Sequence, residues 1–135
     1  MAHRSALVAV SVVQLAAQLA GQVVALRRRR YFDTPLPLLT GDPAHVGRDS
    51  LWAGTAFSAP AHMMVAQAWA TARVARGDDL GRQVLRVLGA VMVPGYLLER
   101  SARQSLRPGG VDPVETSIVA VALSGAVAMV VLARR

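Results

Sequence analysis

Apolar residues fall into four blocks along this chain of 135 residues, and short segments that carry nearly all of the charge separate the blocks. Long uncharged blocks are typical of membrane-spanning helices, whereas a soluble core draws its apolar residues from positions spread along the chain. The pattern therefore predicts an all-α integral membrane protein, a bundle of four transmembrane helices with short loops that forms a single transmembrane domain over residues 1–135. We expect helices at about 5–26, 51–72, 81–103 and 113–133, with an interfacial loop at 27–50.

Residues at the ends of the blocks support these boundaries. The first block is too long for the apolar part of a signal peptide, and it ends at the four arginines Arg27–Arg30, which are typical of a stop-transfer flank. Trp52 and Trp69 stand near the two ends of the second block, ~25 Å apart along a helix, and indoles favour both membrane interfaces. Asp112 followed by Pro113 is a favourable start for the fourth helix.

Three glutamines interrupt the first apolar block at intervals of four residues: Gln14, Gln18 and Gln22. At 100° per residue they lie at about 0°, 40° and 80° around a helix, on the same side as Ser11. An amide that faces lipid is costly, so this side should contact protein or enclosed water. The glutamines either make hydrogen bonds between helices or bind a polar group of a ligand.

The second block offers a matching polar face. Thr55, Ser58 and His62 follow i, i+3, i+7 spacing, so they share one side of a continuous helix, with His62 near the middle of the membrane. His62 could be neutral and hydrogen-bonded, or it could handle protons or bind a ligand. The candidate ligand-binding residues are therefore Gln14, Gln18, Gln22, Ser58 and His62.

Three carboxylates stand at helix boundaries: Asp33, Glu99 and Glu115. If the helices alternate in direction, all three lie at one mouth of the bundle, where they are candidates for acid–base catalysis with His62. The alternative is that Glu115 caps its helix, Glu99 pairs with Arg103 and Asp33 is solvated.

Charge and composition limit the classes of partner that the protein is expected to bind. All 15 basic residues are arginine, and the absence of lysine and asparagine fits a GC-rich bacterial genome. The net charge of +7 would suggest nucleic acid in a soluble protein, but the arginines cluster beside the apolar blocks, where they meet lipid phosphates. We therefore expect the lipid bilayer as partner and no nucleic acid. The chain has no cysteine, and no pattern indicates a metal site or a cofactor.

These observations leave two classes of function open. In the first, a small multi-pass protein of the cell membrane binds or passes a lipophilic or amphipathic small molecule, or serves as a subunit of a homo-oligomer or a larger membrane complex. In the second, the protein is a membrane-embedded enzyme that performs isomerase-type or cyclase-type acid–base chemistry on a lipophilic substrate such as an isoprenoid. Its catalytic candidates would be His62, Glu99, Glu115 and Asp33. The scarcity of ionisable groups inside the apolar blocks favours the first class.

Overall fold

The computed structural model describes residues 2–35, 40–108 and 112–134. Helices account for 78% of these residues, and no β-strand occurs among them, so the all-α prediction is confirmed. Residues 36–39 of the predicted interfacial loop, and residues 109–111 before the fourth helix, lie outside the described residues. The helices are α1 (Ala2–Arg28), a 3₁₀ turn (Pro43–His45), α2 (Val46–Trp52), α3 (Ala61–Ala75), α4 (Asp79–Leu98), α5 (Arg100–Ser105) and α6 (Pro113–Leu132).

The four long helices α1, α3, α4 and α6 pack against one another in chain order. Helix α1 contacts α3 and α6, and α4 contacts the same two helices from the other side. Contacts run antiparallel between α1 and α3, since Ser11 bonds Thr71 while Gln18 bonds Ala59. The side chains buried between the helices include Leu7, Leu85, Val119, Ala126 and Met129.

The prediction of one continuous helix over 51–72 is wrong. Helix α2 ends at Trp52 and α3 begins at Ala61, and residues 53–60 between them form a non-helical stretch that we call the interhelical segment. Gly54 ends α2 with φ +95°, a conformation that other residues rarely adopt, and its N–H donates to the carbonyl of Asp49. Pro60 has no N–H to continue a helix, and it disfavours helical backbone in the residue before it.

The predicted helix over 81–103 is also divided. Helix α4 passes through Pro94 and ends at Leu98, and Glu99 adopts extended backbone before α5 begins. The Glu99 side chain accepts a hydrogen bond from the N–H of Ser101, so it caps the new helix. Helix α6 matches its predicted bounds within one residue, and Asp112 caps it as expected.

Apolar and polar side chains are distributed in an unusual way. Large apolar side chains cover the outside of the long helices, among them Val65 (69% exposed) on α3 and Val87 (57% exposed) on α4. Several polar side chains are completely buried between the helices. Within the part of the chain that the structure describes, two helices, α1 and α6, are long and apolar enough to cross a membrane. Helix length and composition alone are weak support for a membrane location, because soluble core helices and signal sequences share these properties.

Candidate functional site

Three fully buried glutamines meet between α1 and α3, and we call Gln14, Gln18 and Gln67 the glutamine cluster. The Gln18 side-chain N–H₂ donates to Oε1 of Gln14 and to Oε1 of Gln67, each at 2.8 Å. The Gln67 N–H₂ donates to Oε1 of Gln14 at 2.7 Å. Each glutamine therefore bonds to both of the others.

Neighbouring groups complete the hydrogen bonding of the cluster. The Gln67 amide also donates to the carbonyl of Ser11 at 3.1 Å, and the Gln14 amide donates to the carbonyl of Ala122 on α6 at 3.3 Å. The Gln18 Oε1 accepts from the N–H of Ala59 at 3.0 Å. A buried network without unpaired members fixes one arrangement of the helices. Gln14 and Gln18 therefore make hydrogen bonds between helices, which is one of the two alternatives considered for these amides.

Two glutamines differ from the expectation based on spacing. Gln22 is only half-buried, although its interval from Gln18 is the same as that between Gln14 and Gln18. Gln67, which the sequence reasoning missed, occupies the centre of the cluster. It stands four residues before Thr71 in a stretch of α3 that carries no arginine or carboxylate before Arg73, the same spacing that singled out the glutamines of α1, so the sequence did carry a signal for it.

The interhelical segment is buried from Gly54 to Ser58, and its backbone groups are bonded by residues from three other parts of the chain. Besides the Gln18 bond to Ala59, the N–H of Ala56 donates to the carbonyl of Arg30 at 3.3 Å. The Tyr96 hydroxyl of α4 donates to the carbonyl of Phe57 at 3.1 Å. These contacts hold a non-helical backbone in a defined conformation inside the protein.

A pocket of about 150 Å³ lies between the interhelical segment and the C-terminal half of α4. Its walls are mostly apolar and include Phe32, Met63 and Val91. Its four polar side chains are those of Thr55, Ser58, Tyr96 and Glu99. An apolar pocket with a few convergent polar groups is the usual form of a small-molecule site.

Glu99 is the carboxylate of this pocket and is only 5% exposed. One carboxylate oxygen accepts from the N–H of Asp33 at 2.9 Å, and the other accepts from the N–H of Ser101 at 3.2 Å. Burial raises the pKa of Glu99 from 4.5 to about 7, although these two hydrogen bonds act in the opposite direction. Near neutral pH the carboxyl therefore exists in both protonation states.

The other two carboxylates have different surroundings. Asp33 lies beside Glu99, and its carboxylate is 3.6 Å from the guanidinium of Arg100. Glu115 belongs to a separate ion cluster in which it accepts from Arg28 at 3.0 Å and from Arg30 at 3.3 Å. The structure thus brings Asp33 and Glu99 together and engages Glu115 with two arginines.

The prediction that Thr55, Ser58 and His62 share one helical face is wrong, because α3 begins only at Ala61. Thr55 and Ser58 bond to each other at 2.8 Å within the interhelical segment. His62 is exposed in the first turn of α3, where Nδ1 lies 3.3 Å from the carbonyl of Leu51. Ser58 lines the pocket, whereas His62 is not among the residues that line it.

Within the described ranges, no group of three or more histidine, aspartate or glutamate side chains is placed to hold a metal ion. Comparison with protein families, with curated proteins and with solved structures finds no significant similarity to this chain.

Proposed function

We propose that this protein is a multi-pass membrane protein in which α1, α3, α4 and α6 form a four-helix transmembrane bundle. We further propose that it binds a lipophilic small molecule with a polar head group in the pocket beside the interhelical segment.

The distribution of side chains supports the membrane part of the proposal. Exposed apolar side chains on all four long helices would be a liability in water, since monomeric soluble proteins rarely expose large contiguous apolar patches. The same surface suits a hydrocarbon environment, and the buried glutamine cluster suits an interior that lipid does not reach. Helix α3 has 15 residues, or ~22 Å of helix, and the interhelical segment adds to the length that this part of the chain can span.

The interhelical segment carries the binding part of the proposal. Non-helical backbone at membrane depth is tolerated only where protein buries it or where it lines a cavity, and broken helices of this kind form the binding sites of many transporters. The interhelical segment meets both conditions, because protein buries it and it provides one wall of the pocket. Gln18 and Tyr96 bond its backbone, so residues of the protein itself hold this wall of the pocket in place.

A pair of glycine variants tests this proposal. Gly95 lines the pocket and is exposed, and a Cβ at that position would meet nothing within 4 Å, so Gly95→Leu adds bulk at the edge of the pocket without a clash at its first side-chain atom. Gly47 in α2 has equally open surroundings outside the pocket lining, which makes Gly47→Leu the matched control. Native mass spectrometry in mild detergent should find a small molecule retained by the parent protein and by Gly47→Leu, and lost from Gly95→Leu.

Retention of the same molecule by Gly95→Leu would refute binding in this pocket. The same spectra count the chains in each particle, which tests whether the protein is a homo-oligomer. A different chain that is retained in fixed proportion, with no small molecule, would favour a role as a subunit of a membrane complex.

An acid–base enzyme acting on a lipophilic substrate is the second candidate, and one observation favours it. Glu99 is a pocket residue with a pKa of about 7, a value suited to proton transfer at neutral pH. Of the candidate catalytic residues, Glu99 alone lines the pocket. Exchange of hydrogen between the retained molecule and deuterated water, seen with the parent protein and absent from Glu99→Gln, would support this candidate. Equal exchange in both would exclude Glu99 as the catalytic acid or base.

A further inference from the structure

We propose that the molecule held in the pocket is a lipophilic amine whose protonated nitrogen faces the carboxylate of Glu99. This inference rests on the proposed function, because it requires that the pocket beside the interhelical segment binds a ligand.

The polar groups of the pocket accept more hydrogen bonds than they donate. The Tyr96 hydroxyl gives its hydrogen to the carbonyl of Phe57, which leaves only lone pairs on its oxygen. The hydroxyls of Thr55 and Ser58 bond to each other, so one of their two hydrogens is already used. The ionised carboxylate of Glu99 only accepts. A ligand with several donors, such as an alkylammonium, complements this set.

Charges around the pocket favour the same head group. Among the described residues, those that line the pocket include one carboxylate and no cationic side chain. The nearby guanidinium of Arg100 pairs with the carboxylate of Asp33 and is largely exposed, and Arg103 acts on Glu99 only through its charge. A buried carboxylate without a cation in contact is costly, and a bound ammonium would supply that contact. A carboxylate or phosphate head would add a second negative charge beside Glu99.

The volume of the pocket limits what part of the ligand enters. About 150 Å³ corresponds to roughly five water molecules, enough for an ammonium group and a short alkyl segment or one ring. Val91 and Gly95 line the pocket and are themselves exposed on the outside of α4. A longer apolar tail could therefore leave the pocket towards the hydrocarbon that the proposed function places around the helices.

The protonation of Glu99 gives this inference a pH dependence. The groups that act on it are the backbone N–H groups of Asp33 and Ser101 and the charges of Asp33 and Arg103. An ammonium pairs with Glu99 only when the carboxyl is ionised, while the amine itself stays protonated up to pH of about 10, as lysine does. Binding should therefore weaken as the pH falls below 7, approaching tenfold for each further pH unit.

Three probes of equal chain length test the inference: decylamine, decanol and decanoate. Binding of each radiolabelled probe is measured at pH 8 to the protein in phosphatidylcholine nanodiscs, with Gly95→Leu nanodiscs as the blank for partition into lipid. We expect decylamine to bind the parent protein at least tenfold more tightly than decanol and decanoate. We expect Glu99→Gln to lose at least tenfold in decylamine affinity, and Gly47→Leu to bind as the parent does.

The outcomes separate the inference from the proposed function. If decanol or decanoate binds as tightly as decylamine, and Gly95→Leu abolishes that binding, the amine assignment is refuted and the pocket stands. If Gly95→Leu binds all three probes as the parent protein does, the amine assignment and the proposed binding in this pocket are both refuted. If Glu99→Gln fails to fold, decylamine binding to the parent protein is measured at pH 5.5 in place of binding to that variant. Decylamine affinity at least tenfold lower than at pH 8 supports the inference, and an unchanged affinity refutes it.

Discussion

Replacing Gln18 by leucine removes three hydrogen bonds with nitrogen and oxygen partners: those donated to Oε1 of Gln14 and of Gln67, and the one accepted from the N–H of Ala59. It also removes the weaker bond that Gln18 donates to the sulfur of Met92 at 3.7 Å. Hydrogen bonds between helices in a membrane are worth ~0.6 kcal/mol each on average, and the same value applied to these three bonds, one of which lies within α1, gives about 2 kcal/mol. The substitution also leaves the Ala59 N–H and the Gln67 Oε1 without these partners in a buried region, and each such loss costs about 1–3 kcal/mol. Gln18→Leu should therefore lower the free energy of unfolding by about 3 kcal/mol or more.

Gln22→Leu is the matched control, because Gln22 lies one turn further along the same helix and is only half-buried. It should change the free energy of unfolding by less than about 0.5 kcal/mol. The two variants can be compared by equilibrium unfolding in mixed micelles with increasing dodecyl sulfate, followed by circular dichroism of the helices. A loss in Gln18→Leu no greater than that in Gln22→Leu would refute a stabilising role for the glutamine cluster.

Two further substitutions probe the packing of α1 and the pocket carboxyl. Gly21→Ala should destabilise the protein by about 1–3 kcal/mol, since the new Cβ would lie 2.6 Å from the carbonyl oxygen of Phe57, whereas Gly47→Ala meets nothing within 4 Å and should not. Equal thermal unfolding midpoints for the two would contradict the close approach at Gly21. Because the pKa of Glu99 is raised to about 7, the stability that its protonation contributes is complete below pH of about 4.5 and is lost as the pH rises through 7. This loss amounts to about 3 kcal/mol, and Glu99→Gln should lack the corresponding decline in unfolding midpoint between pH 5 and pH 8. A decline of equal size in Glu99→Gln would assign it to another group.

The elements that local patterns specify were predictable from the sequence. The start of α6 follows from Asp112 and Pro113, which cap and open a helix whatever surrounds it. Helix α1 extends a few residues beyond its expected ends because the flanking arginines are compatible with helix as well as with an interface. The burial of Gln14 and Gln18 followed from their position on one face of an apolar helix.

The interhelical segment could not be predicted in the same way. Gly54 and Pro60 were visible in the sequence, but glycine and proline also occur within continuous transmembrane helices, where neighbouring groups satisfy the freed backbone. The conformation that is adopted depends on distant partners, namely Gln18 for the N–H of Ala59 and Tyr96 for the carbonyl of Phe57. The pocket that Glu99 lines depends on that conformation, so the pocket could not be predicted from the sequence either.

The central claim is that the apolar outer faces of all four long helices contact lipid. Helices α3 and α4 test it most directly, because among the helices of the described residues only α1 and α6 have the length and hydropathy of membrane spans. The chain has no cysteine, so nitroxide labels can be attached at Val65→Cys on α3, Val87→Cys on α4 and, as an aqueous reference, Asp79→Cys in the charged first turn of α4, where the side chain is 81% exposed. In nanodiscs, electron paramagnetic resonance should show that oxygen relaxes the labels at 65 and 87 strongly while a water-soluble nickel chelate does not. Nickel accessibility at both positions equal to that at position 79 would contradict the claim.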